Sequence, residues 1–80
     1  MVTQLATFSI CRGNKLLVQF VAEIGPDGQG VCQYNSDKQP QGFWGVSARY
    51  GSNIVIGFAR RQADIFIKYR KLRRFKIKRS

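Results

Sequence analysis

Histidine is absent from this chain of 80 residues, and only 4 aspartates and glutamates accompany its 14 lysines and arginines. The absence of histidine removes the commonest general base and a frequent metal ligand. The cysteines lack the CxxC spacing of a metal or redox site, and no serine has a histidine partner. We therefore expect no catalytic residues, no metal and no cofactor, which indicates a binding protein and not an enzyme.

A long hydrophobic run is also missing. The longest apolar stretch, residues 16–22, contains Gln19, whereas a membrane-spanning helix needs about 20 apolar residues. Residues 1–7 have neither the basic charge nor the long apolar stretch of a signal peptide. We expect a cytoplasmic protein that does not cross a membrane.

Apolar and polar residues alternate in the first half of the chain. Residues 5–11 and 16–24 place apolar side chains at every second position, and residues 31–35 form a shorter run of the same kind. This period predicts three half-buried strands. Arg12–Lys15 and Gly25–Gly28 separate them with turn-forming residues, so we expect two hairpins.

The second half also contains runs of β-forming residues, after a polar loop at residues 35–42. Residues 43–50 predict a strand, in which Gly45 marks a bulge or a close backbone approach. Residues 54–59 predict another strand because they are rich in β-branched side chains. Residues 64–69 fit a helix by spacing, but their Ile-Phe-Ile triplet favours a strand.

A chain of this length removes about 60% of its unfolded surface from water, which supports one thin core. We therefore predict a mainly β fold, a small single-domain antiparallel barrel or twisted meander of about five or six short strands. Residues 1–67 form this β domain in the prediction. Residues 68–80 form a basic C-terminal segment, either extended or a short helix.

The two cysteines fall at the end of the first predicted strand, Cys11, and at the start of the third, Cys32. The middle strand then separates them by more than about 20 Å, because a strand rises about 3.3 Å per residue. A disulfide needs Cα atoms about 4.4–6.8 Å apart. We expect two free thiols.

Basic charge is concentrated near the C-terminus. Residues 1–59 have a net charge of +1, whereas residues 60–80 have +9 and contain one carboxylate, Asp64. We call the ten basic residues of this part the C-terminal cations: Arg60, Arg61, Lys68, Arg70, Lys71, Arg73, Arg74, Lys76, Lys78 and Arg79. Because like charges repel one another, this density favours a polyanionic partner over a solvated tail.

Aromatic residues complete the predicted binding set. Tyr69 and Phe75 lie among the C-terminal cations, and Trp44 lies close to Arg49. We include these four residues because aromatic rings stack on unpaired bases while cations contact phosphates. For Trp44, a place in the core is the alternative.

Three further aromatic residues, Phe43, Tyr34 and Tyr50, lie near Trp44 or the polar loop. On a sheet they would extend a stacking platform flanked by charge. Burial in the core is the alternative for each of them.

No zinc-finger, RRM or KH signature is present in the sequence. We predict a non-enzymatic nucleic-acid-binding protein whose C-terminal cations contact phosphates. RNA or single strands are preferred over duplex DNA, because no recognition helix is evident and aromatic residues suit unstacked bases. The alternative is a small accessory subunit or adaptor that docks its basic segment on an acidic protein, a larger complex or an anionic membrane surface.

Overall fold

A five-stranded antiparallel sheet and one α-helix form the part of the chain that the computed structural model describes, residues 3–25 and 28–80. The strands are β1 Thr3–Arg12, β2 Lys15–Gly25, β3 Gly28–Asn35, β4 Pro40–Val46 and β5 Lys76–Arg79. A 3₁₀ turn at Ala48–Tyr50 follows β4 and leads into the helix α1, Ser52–Arg70. The helix packs on one face of the sheet.

The strands lie in the order β4-β3-β2-β1-β5, and each neighbouring pair is antiparallel. From β1 to β4 the chain forms a meander. It then passes through α1 and returns as β5 beside β1, which leaves β4 and β5 as two separate edges. The predicted mainly β fold is confirmed in its meander form, since the sheet does not close into a barrel.

Alternation along the central strands determines the core. The buried side chains that β1 and β2 place on the helix side are Ala6, Phe8, Ile10, Val18, Phe20 and Ala22. The first three predicted strands are confirmed, with small differences at their ends. Gly25 pairs with Gly28 across the second hairpin, while Pro26 and Asp27, also part of the predicted turn, lie outside the described residues.

The predicted strands over residues 54–59 and 64–69 are wrong, because both segments belong to α1. Val55, Ala59 and Ala63 are four residues apart and fully buried, which is the spacing of one helix face. The two alanines let the helix backbone approach the sheet closely. Tertiary packing of this stripe therefore overrides the local β propensity of the branched residues around it.

Positive φ angles mark both ends of α1. Gly51 precedes the helix with φ 81°, a conformation that glycine adopts at little cost. Lys71 follows it with φ 50°, and its N–H donates to the Lys68 carbonyl oxygen at 3.2 Å. The N–H of Leu72 donates to the Ile67 carbonyl oxygen at 3.0 Å. This Schellman motif ends the helix with a lysine where glycine is usual.

The single strand predicted over residues 43–50 is also wrong in its extent. β4 ends at Val46 and the chain then enters the 3₁₀ turn. Gly45 pairs regularly with Gly30 and marks no bulge, because the irregularity between β3 and β4 falls beside Gln33.

Both cysteines are free and buried. Cys32 lies opposite Val21, which lies opposite Thr7, and Cys11 is four residues further along β1. From strand rise and spacing, the two cysteines are about 16 Å apart. This separation is shorter than the roughly 20 Å expected, yet well beyond the reach of a disulfide.

Candidate nucleic-acid interface

All ten C-terminal cations are exposed. Arg60, Arg61, Lys68 and Arg70 belong to α1, Lys71, Arg73 and Arg74 to the connection, and Lys76, Lys78 and Arg79 to β5. Arg60 Nε donates to Asp64 Oδ1 at 3.2 Å, the one ion pair among residues 3–25 and 28–80. An exposed pair of this kind contributes only about 0.3–0.5 kcal/mol. Because Asp64 is a single carboxylate beside ten cations, the charge of the cluster is almost uncompensated.

The last cations are held in the sheet. β5 pairs with β1, and beyond it Ser80 and Thr7 exchange backbone hydrogen bonds of 2.8 and 2.9 Å. Arg12 Nη2 donates to the carbonyl oxygen of Arg73 at 3.2 Å, which ties the connection to the end of β1. The predicted boundary between residues 67 and 68 falls within α1.

Alternation along β5 divides its cations between the two faces of the sheet. Ile77 packs on the core beneath the helix. Lys76 and Lys78 flank Ile77, so their side chains point to the opposite face. Arg79 is again on the helix side, with its Cζ 5.7 Å from the centroid of the Phe8 ring. The cations of β5 therefore border both faces.

Arg49 is separated from the cations that follow α1. It is exposed in the 3₁₀ turn before α1, whereas Lys71 to Arg74 follow the other end of the helix. An α-helix of 19 residues is about 28 Å long. The structure thus places Arg49 at the opposite end of α1 from Lys71, Arg73 and Arg74.

The three predicted stacking residues differ in exposure. Trp44 is half-buried, and its ring centroid lies 6.3 Å from that of Phe20 in the core. Phe75 is half-buried as well and packs against the core cluster. Tyr69, on α1, is 87% exposed. Only Tyr69 of the three presents most of its ring to solvent.

We call the sheet surface opposite α1 the helix-free face. From β4 to β5 its side chains include Phe43, Tyr34, Cys32, Glu23, Val21, Gln19, Ser9, Thr7, Lys78 and Lys76. Tyr34, Gln19, Ser9 and Lys78 form one row across four strands, and Gln19 Nε2 donates to Ser9 Oγ at 3.1 Å. Three strand spacings place Tyr34 about 14 Å from Lys78.

Phe43 belongs to the next row of this face, opposite Cys32. Its ring lies over the paired glycines Gly30 and Gly45. A Cβ atom at Gly30 would overlap the ring, and one at Gly45 would lie 4.0 Å from Phe43 Cε1. Phe43 is nevertheless 63% exposed, so one surface of its ring contacts the sheet backbone and the other is open to solvent.

Two shallow grooves border this face. One, of about 380 Å³, is lined by residues that include Tyr34, Gln19, Val21 and Lys38. The other, of about 510 Å³, lies between the β1–β2 turn and β5, and its lining includes Arg74, Phe75, Lys76 and Lys78. The second groove therefore combines three of the C-terminal cations.

Two groups on the helix-free face have shifted pKa values. A side-chain hydrogen bond with Cys32, followed by burial, raises the pKa of Tyr34 to about 12. Burial raises the pKa of Glu23 above its usual value of 4.5. Both shifts favour the neutral form of the group.

Tyr34 and Phe43 are the aromatic residues of this face, and neither belonged to the predicted binding set. Alternation along β3 and β4 was the signal that could have placed them together. Val31 and Trp44 point to the helix side, so the residues next to them in each strand point to the helix-free face. The sequence analysis offered both for a stacking platform, but it did not separate them from Trp44, which lies on the helix side.

No protein-family model, curated protein or solved structure matches the chain. The described residues contain no group of three or more cysteines and carboxylates that could hold a metal ion. Within the same part of the chain, no helix is long and apolar enough to cross a membrane.

Proposed function

We propose that this protein binds nucleic acid without catalysing a reaction, and that the C-terminal cations contact the phosphates. The supporting observation is the arrangement of ten exposed cations on α1, the connection and β5 with a single carboxylate, Asp64, among them. Neutralising such a cluster with a polyanion releases counterions and relieves repulsion within the protein.

RNA or single strands are the preferred ligand in this proposal. The sequence favoured single strands over duplex DNA partly because no recognition helix was evident. The structure contains a long helix, α1, so that reason no longer applies. The exposed ring of Phe43 supplies another, since side chains stack on bases that are not paired. A cytoplasmic location belongs to the same proposal, and the two free thiols support it.

The outer surface of α1 favours the second candidate, an adaptor that docks on an acidic protein or an anionic membrane surface. Ile54 and Ile65 are 53% and 44% exposed there, close in sequence to several C-terminal cations. Exposed apolar side chains beside cations suit an interface with acidic and apolar groups.

Fluorescence anisotropy with labelled oligonucleotides of about 12 nucleotides tests the proposal. The full chain should bind single-stranded RNA and DNA with log affinity falling linearly with log salt, at a slope of roughly −4 to −7 between about 50 and 200 mM salt. Duplex DNA of the same length should bind more weakly than single strands. Absence of binding at low salt would refute the proposal.

Copurification separates the two candidates. Nucleic acid that accompanies the protein, seen as a raised A260/A280 ratio and removed by high salt, supports nucleic-acid binding. A stoichiometric acidic protein that remains after nuclease treatment, or binding to vesicles that contain anionic lipid but not to oligonucleotides, supports the adaptor.

A further inference from the structure

We propose that the helix-free face is the surface that holds the single strand, with bases on Phe43 and Tyr34 and phosphates beside Lys76 and Lys78. This inference rests on the proposed function and deepens it, because it identifies the surface and the residues that distinguish a single strand from other polyanions.

The first support is the state of the Phe43 ring. An unsupported exposed aromatic side chain samples several rotamers, but this ring lies over the backbone of Gly30, where no side chain intervenes. One surface of the ring is therefore held by the sheet and the other is open. A base that stacks on it needs little further ordering of the protein.

The second support is the row from Tyr34 to Lys78. Its length of about 14 Å matches about four stacked nucleotides at ~3.4 Å each. Gln19 and Ser9 lie between its ends and offer amide and hydroxyl groups. A strand that crosses the sheet along this row can place the base of one nucleotide near the aromatic end and the phosphate of another near the basic end.

The third support is charge. Lys76 and Lys78 point onto the helix-free face, and together with Arg74 they line the groove of about 510 Å³ beside β5. Glu23 is the carboxylate of this face, and it lies beyond the Tyr34 row, opposite Gly30. The path from Tyr34 to the groove is therefore positive at the end that contains Lys76 and Lys78, whereas the one carboxylate of this face, Glu23, lies close to the aromatic end.

The opposite side of the molecule is less suited to bases. α1 covers that face of the sheet, and Trp44 and Phe75 use their rings for packing on the core. Tyr69 is exposed on α1 and lines a groove of about 240 Å³ with Trp44, Phe66 and Arg70, but the Trp44 and Phe66 rings also pack against Phe20 in the core. Binding there is the competing outcome of the test.

The test measures single-strand affinity of full-length variants that remove a ring but keep an apolar side chain. Phe43→Leu should weaken binding by about 5- to 150-fold, the range for losing one stacked base, without changing the salt slope. Tyr69→Leu makes the same kind of change at the competing site on α1 and should weaken binding much less than Phe43→Leu does. Thermal unfolding of each variant verifies that it is folded.

Cations provide the second comparison. Lys78→Gln should flatten the salt slope by about 0.7, the value for one phosphate contact on a single strand. Arg61→Gln on α1 makes the same change of charge and should flatten it less. An oligonucleotide that contains 2-aminopurine should show quenched fluorescence with the wild-type chain and recovered fluorescence with Phe43→Leu.

The outcomes are distinguishable. Loss of affinity in Tyr69→Leu together with unchanged affinity in Phe43→Leu would overturn this inference and leave the proposed function standing, with α1 as the interface. Failure of the wild-type chain to bind any oligonucleotide at low salt would overturn the proposed function, and this inference with it.

Discussion

The ring of Phe43 lies on the backbone of Gly30, at a position where any Cβ atom on residue 30 would overlap it. Gly30 is buried beneath an aromatic side chain that is itself mostly exposed. The absence of a side chain at residue 30 therefore determines where the Phe43 ring lies.

Gly30→Ala should displace the Phe43 ring and destabilise the fold by up to about 1 kcal/mol, at the low end of the cost of overpacking, because the exposed ring can turn away from the added Cβ atom. Urea unfolding of the variant measures this cost. The double variant Gly30→Ala with Phe43→Ala removes the overlap with the ring and leaves only the Trp44 carbonyl oxygen 3.2 Å from the Cβ position, so alanine at residue 30 should then cost less than in the wild-type background. An equal cost in both backgrounds would show that the ring is not what excludes the Cβ atom.

Lys71→Gly should stabilise the protein by about 1 kcal/mol, because glycine adopts the left-handed conformation at the end of α1 without the strain of a side chain. The midpoint of chemical unfolding measures the gain. Lys71→Ala is the control, since it removes the same charge but keeps a Cβ atom. A gain in Lys71→Ala as large as in Lys71→Gly would attribute the effect to charge.

Glu23→Gln should stabilise the protein at neutral pH. The folded pKa of Glu23 is raised above 4.5 by burial, so the folded state favours the protonated form. Any stability from this group is present below the unfolded pKa and is lost as pH rises through the folded pKa. The gain from Glu23→Gln should therefore be present at pH 7 and fade near pH 3.5, and a gain independent of pH would contradict the prediction.

Arg73→Ala together with Arg74→Ala should flatten the salt slope of oligonucleotide binding by about 1 to 2 for all sequences alike. Arg49→Ala should flatten it less, because Arg49 lies beyond the opposite end of α1, about 28 Å away. Salt titrations of the same oligonucleotide measure both slopes. An effect of Arg49→Ala equal to half that of the double variant would place Arg49 in the interface.

Ile77→Ala should destabilise the fold by about 1–3 kcal/mol, because Ile77 packs from β5 onto the core. Lys76→Ala, one residue away and exposed, should change stability by less than about 0.5 kcal/mol. Thermal unfolding compares the two. If Ile77→Ala were as stable as the wild type, the packing of β5 on the core would contribute little to the stability of the fold.

The candidate interface was visible in the sequence only as a concentration of charge. Counting residues places the cations after residue 59, but it does not assign Lys78 and Arg79 to opposite faces. That assignment requires the pairing of β5 with β1, a contact between residues nearly seventy positions apart. Tyr34 and Phe43 likewise share a face with Lys78 only through the register of all five strands.

The sequence by itself determined the strands β1 to β3, because an alternation of apolar and polar residues leaves one register that buries the apolar set. Only the tertiary structure decided that residues 52–70 form a helix. Their branched side chains suit a strand locally, but Val55, Ala59 and Ala63 make a narrow stripe that fits on the sheet only at helical spacing. Packing against a surface built by distant residues, which no local pattern encodes, made that choice.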